Sequence, residues 1–108
     1  MNYQVRVLAK ARRDLESILR YIALKSPAGA ARLLGRFQAE MKRLEREPYA
    51  SAVAPEADEV GEEVRHALFR TRAGRTYRAI FVIVGEEVRI LRVRGSGQPP
   101  VRDWELKE

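Results

Sequence analysis

Apolar and polar positions repeat with two different periods along this chain, and the changes of period mark its elements. Tyr3, Val5 and Val7 alternate with Gln4 and Arg6, the period-two pattern of a strand with one buried face. From about Ala11 to Leu24, the apolar residues Ala11, Leu15, Ile18, Leu19 and Ile22 fall at helical spacing and share one face. Ser26-Pro27 restarts the chain, because serine is a good N-cap and proline suits the first helical position. Ala30, Leu34, Phe37, Met41 and Leu44 then form an apolar seam at alternating steps of four and three, which Pro48 ends. Only Leu24-Lys25 separates the two patterns, so the spacing predicts an antiparallel helical hairpin whose seam packs on a sheet.

Residues 48–63 hold two prolines, one glycine and five acids, Glu56, Asp58, Glu59, Glu62 and Glu63, with no basic residue. They read as a surface loop able to fold back over a basic sheet. Val64–Thr71, Thr76–Val84 and Glu87–Arg94 are rich in β-branched and aromatic residues, and Gly85-Glu86 supplies a tight turn between the last two. Ala79–Val84 is apolar on both faces, as a central strand requires. The prediction is one α+β domain over residues 1–108 in the order β-α-α-β-β-β, with the helical hairpin packed on a small antiparallel sheet. Residues 95–108 form a turn-rich tail, with Trp104 expected to pack it onto the helices.

Composition narrows the chemistry. With 108 residues and no cysteine, the chain is sized for a single domain and excludes a disulfide scaffold, a zinc ribbon and a thiol nucleophile. No apolar run approaches the roughly 18 residues of a membrane helix, and the N-terminal stretch lacks an export signal, so a cytoplasmic protein is expected. Charge points further: 21 basic against 15 acidic residues give +6, and 17 of the 21 are Arg. Nine of these Arg fall between residues 64 and 102, against only Glu86 and Glu87. Arg70, Arg72 and Arg75 surround the Ala73-Gly74 turn, Arg78 lies on the middle strand, and Arg89, Arg92 and Arg94 lie on the last one. As a group they suit a polyanion or an acidic partner; singly, each also suits a solvated face.

Generic catalytic signatures are sparse. Gly95-Ser-Gly97 lacks the third glycine and following helix of a dinucleotide loop and reads as a turn. His66, the single histidine, shares a strand face with Val64 and Leu68 and reads as a packed residue. No ligand spacing suggests a metal, and no cofactor is expected. Metal-free RNA cleavage stays open, because Arg can neutralise a scissile phosphate while a neighbour moves a proton.

Three segments in this order resemble the RelE/ParE superfamily of toxins from type II toxin–antitoxin modules, often described as plasmid stabilisation proteins. They are Ala11-Arg-Arg-Asp-Leu-Glu-Ser-Ile-Leu-Arg-Tyr-Ile-Ala, then Val64-Arg-His-Ala-Leu-Phe-Arg with Thr76-Tyr-Arg-Ala-Ile-Phe-Val-Ile, and Gly85-Glu-Glu-Val-Arg-Ile-Leu-Arg-Val-Arg. The RelE branch cleaves messenger RNA on the ribosome and the ParE branch poisons DNA gyrase, on one shared fold. RelE-type toxins use basic residues on the sheet plus an Arg and a Tyr or His at and beyond the end of the last strand. Arg78 matches the sheet arginine, and Arg70 and Arg72 fall near the basic positions of the preceding strand. After Val93 the chain reads Arg94-Gly-Ser-Gly-Gln-Pro-Pro-Val-Arg-Asp-Trp, without Tyr or His, so the nucleolytic set is incomplete. The resemblance therefore implies a growth-inhibiting toxin nearer the ParE branch, binding DNA gyrase without catalysis. Its alternatives are a ribosome-dependent mRNA endonuclease using Arg78, Arg70 and Arg72, and an inactive binding protein on the toxin fold. The implied partner is an antitoxin whose acidic segment wraps the toxin in a hetero-oligomer more soluble than the toxin alone.

Overall fold

Strand β1, Gln4–Val7, leads into helix α1, Ala9–Ala23, and helix α2, Pro27–Leu44. The computed structural model describes residues 2–71 and 74–108. Ser26 caps α2 as its sequence requires: its Oγ accepts from the Gly29 amide at 2.9 Å, with Pro27 in the first turn. Strands β2, Arg65–Arg70, β3, Thr76–Val84, and β4, Glu87–Gly95, complete a four-stranded sheet of order β1-β4-β3-β2. The β3–β4 turn holds Gly85 at φ +62°, a conformation that side chains resist.

The sheet is mixed where an antiparallel one was expected. β2, β3 and β4 form an antiparallel meander, but β1 pairs with β4 in parallel, from Gln4 opposite Glu87 to Val7 opposite Ile90. Alternation in β1 fixes which side chains share a face and says nothing of the neighbour's direction. With β3 and β2 zipped to one side of β4, β1 takes the remaining side.

Two apolar layers sandwich the sheet. On one face the hairpin buries Ala11, Leu15, Leu33, Phe37 and Leu44 against Phe69, Tyr77, Phe81 and Ile90, with Phe37 edge-on to Phe69 at 5.5 Å between ring centroids. The predicted seam is displaced slightly, since Leu33 is fully buried while Leu34 and Met41 are only partly so. On the opposite face lie Ala54, Val64, Ile80, Leu91, Val101 and Leu106, supplied partly by the 48–63 segment and the tail. That segment is more than a loop: it carries a 3-10 turn at Pro48–Ala50, a short helix α3 at Ala57–Val60, and a bridge from Val53 to Arg65. The tail likewise forms a 3-10 turn, Asp103–Leu106. Trp104 does not pack onto the helices but is 69% exposed, and Val101 and Leu106 fasten the tail instead. The turn leaves only one of its sides to the sheet, and the smaller aliphatic Leu106 occupies it.

Candidate functional site

The face of the sheet away from the helical hairpin, covered by the 48–63 segment and the tail, gathers most of the predicted arginines. Alternation on β3 sends Arg78 to this face beside Ile80, and His66 reaches it from β2. Both terminal nitrogens of Arg78 donate to Glu56, at 2.9 Å to Oε1 and 2.6 Å to Oε2, a bidentate pair. Glu56 is only 3% exposed, and its Oε2 also accepts from the Val101 amide at 3.1 Å. Burial alone would raise its pKa, but the hydrogen bonds from Arg78 and Val101 and the guanidinium charge hold it down, at about 2. Arg78 Nη1 also lies 3.1 Å from His66 Nδ1. Burial, and then the charge of Arg78, lower the His66 pKa, so the ring is neutral at pH 7 and Nδ1 acts as acceptor. His66 is thus a partly buried partner of Arg78 rather than a purely apolar packing residue.

β4 repeats the pattern. A register shift opposite Ile80 and Phe81 makes Leu91 the extra residue of a bulge and re-aims Arg92. Arg92 donates to both oxygens of Asp14 on α1, at 2.7 and 2.9 Å, and to the Glu105 carbonyl at 3.4 Å. Asp14 Oδ2 also accepts from the Val93 amide at 2.9 Å, so this carboxylate satisfies the β4 edge beyond the point where β1 ends. Arg94 pairs with Glu105, whose pKa is lowered by the Arg102 backbone and then by Arg94. Arg89 pairs with Glu87 and, at 3.1 Å, with Glu108.

Four of the predicted arginines, Arg78, Arg89, Arg92 and Arg94, are therefore drawn together and neutralised within the chain. Arg70 and Arg75 are exposed at the far end of β2 and just before β3, and Arg72 lies outside the described residues. The sequence reading missed the partners Asp14 and Glu105, and placed Glu56 only within an acidic segment able to fold back over the sheet. Its one usable signal was the acidic run of 48–63 set against the basic run that follows.

A second feature lies between the hairpin and the sheet. A groove of about 290 Å³ runs along the β3 start and the ends of α1 and α2, with Ile22, Leu33 and Tyr77 along its floor. Lys25, Arg32, Arg36 and Arg75 rim it, and among the described residues no carboxylate lines it. Tyr21, on the same wall, is 61% exposed. The described residues contain no group of three or more His, Asp or Glu placed to hold a metal ion, and no helix long and apolar enough to cross a membrane.

Comparison with known proteins agrees with this architecture. No curated protein sequence matches the chain. Among solved structures, a chain from the chromosomal ParDE toxin–antitoxin system of P. aeruginosa is similar, with a TM-score of 0.63 and 22% identity, over 86% of this chain and 95% of that one. Residues 5–100 match the family described as the ParE toxin of the type II toxin–antitoxin system parDE. By that match the chain belongs to the ParE toxin family of type II toxin–antitoxin systems.

Proposed function

We propose that this toxin inhibits growth by binding DNA gyrase, without cleaving RNA. The observation that carries the reading is the state of Arg78. A guanidinium that stabilises a scissile phosphate must be free to meet it, and here both terminal nitrogens are spent on the buried Glu56 carboxylate. His66, the one imidazole in the chain, offers Nδ1 to that same guanidinium, and no Tyr or His follows β4. A face whose guanidiniums and carboxylates are spent on one another suits protein contact better than phosphodiester chemistry.

The groove supports the antitoxin half of the proposal. Its apolar floor and cationic rim are complementary to an acidic amphipathic segment that orders on binding, with an aliphatic or aromatic anchor in the pocket and carboxylates against Arg32, Arg36 and Arg75. The test is a pair of purified reactions. The chain should block supercoiling by DNA gyrase and leave ribosome-bound messenger RNA intact, and the cognate antitoxin should relieve the block. Cleavage of the message with gyrase unaffected would overturn the proposal in favour of the nuclease branch, and inactivity in both reactions would mark a toxin-fold binding protein.

A further inference from the structure

We infer that the groove between the helical hairpin and the start of β3 is a site for a small amphipathic anion, a free medium-chain alkyl carboxylate, whose chain lies along the floor and whose head sits among Arg32, Arg36 and Arg75. At about 290 Å³ the groove stands at the lower end of the range for small-molecule sites, roughly 300–1,000 Å³. Two of its floor residues belong to the core, Leu33 at 1% exposed and Tyr77 at 6% exposed, so packing fixes the shape of the floor.

The charge at the rim has no counterpart in the fold. Arg43, Arg78 and Arg92 each meet a carboxylate, whereas among the described residues Arg32, Arg36 and Arg75 form no ion pair. Arg32 and Arg36 stand one turn apart on α2, a like-charge spacing that disfavours the helix. Ser26 and Gly29, at the N-terminus of the same 18-residue helix, also line the groove, so the positive end of its dipole adds to the cations. An inorganic anion would answer the rim and leave the floor in water, and an uncharged apolar molecule would do the reverse. An alkyl carboxylate answers both: its planar head matches a guanidinium bidentately, and each methylene fully buried on the floor strengthens binding by about fourfold. Ligand and antitoxin segment exclude each other from this groove; that consequence rests on the antitoxin reading above, and the ligand site does not.

Isothermal titration of the purified chain with sodium decanoate, kept below its micellar concentration, should reveal one saturable site with a Kd of roughly 100 µM. Hexanoate, four methylenes shorter, should bind at least about tenfold more weakly, and decylamine should not bind. Arg32→Glu/Arg36→Glu changes two exposed side chains and should weaken decanoate binding at least about tenfold. Amide NMR spectra of the wild-type chain need no variant to fold: decanoate should shift Ile22, Gly29 and Leu33 and leave Ile80 and Leu91, on the other face of the sheet, in place. Shifts centred elsewhere, equal binding of decylamine, or no saturable site up to the micellar limit would overturn the inference. Attachment to phosphatidylglycerol vesicles without binding of free decanoate would overturn it as well, by assigning the cations to a lipid surface. Decanoate that binds the free chain should be excluded from the toxin–antitoxin complex. Its persistence there would remove the antitoxin from the groove while the ligand site stands, so the two readings fail separately.

Discussion

Replacing Glu56 by Gln removes one charge from the buried pair while keeping the volume and an acceptor for the Val101 amide. Holding this carboxyl at about 2 instead of its ordinary 4.5 corresponds to about 3 kcal/mol of stability. Breaking a buried pair by deleting one partner costs a similar amount, about 3–5 kcal/mol, because Arg78 is left uncompensated. The folded pKa is depressed, so the contribution is full above the unfolded value and is lost as pH falls toward the folded one. Urea denaturation followed by circular dichroism should therefore find Glu56→Gln about 3 kcal/mol less stable than wild type at pH 7, with the gap narrowing by about 2 kcal/mol at pH 3. Adding Arg78→Met should recover most of the loss at pH 7, since neither charge then remains buried alone. Glu59→Gln is the control: its pair with Arg102 is exposed and should contribute less than about 0.5 kcal/mol. A gap that stays constant between pH 7 and pH 3, or one below about 0.5 kcal/mol at pH 7, would refute the reasoning.

Asp14→Ala should cost about 2–3 kcal/mol in the same denaturation assay, because it strands Arg92 and leaves the Val93 amide without an acceptor. Gly85→Ala should lower stability by about 1 kcal/mol through its positive φ alone, since a Cβ there meets open space. Ser26→Ala should cost about 1 kcal/mol by removing the cap on the Gly29 amide. In calorimetric titration with the cognate antitoxin, Arg32→Glu/Arg36→Glu should weaken binding by roughly 30-fold or more, with thermal stability close to wild type. An unchanged affinity would remove the groove from the antitoxin interface.

Local pattern carried most of the architecture. The Ser26-Pro27 start of α2 and the Gly85-Glu86 turn are decided by the residues that form them, and both stand where the sequence places them. The parallel seat of β1, the Leu91 bulge and the outward Trp104 depend on partners distant in the chain, and no periodicity encodes those partners. The arginines show the same division. Their concentration in one strand meander was plain from composition, and so was the acidity of 48–63. That Arg78 chooses Glu56, 22 positions away, and that Arg92 chooses Asp14, 78 positions away, follows only once the sheet, α1 and the 48–63 segment are packed together. That an acidic segment could cover the basic sheet was legible in the sequence, and the individual pairs that neutralise the sheet are the result of folding.

The measurement that bears most directly on the account is pulse-labelling of protein and DNA synthesis in the minutes after the chain is induced in a bacterial host without antitoxin. DNA synthesis should fail first, and an Arg78→Met/Glu56→Gln chain that remains folded should fail it to a similar extent, because the buried pair supports structure and touches no phosphate. Collapse of protein synthesis first, abolished by the same double substitution, would contradict the account and return Arg78 to the role of a phosphate-binding group.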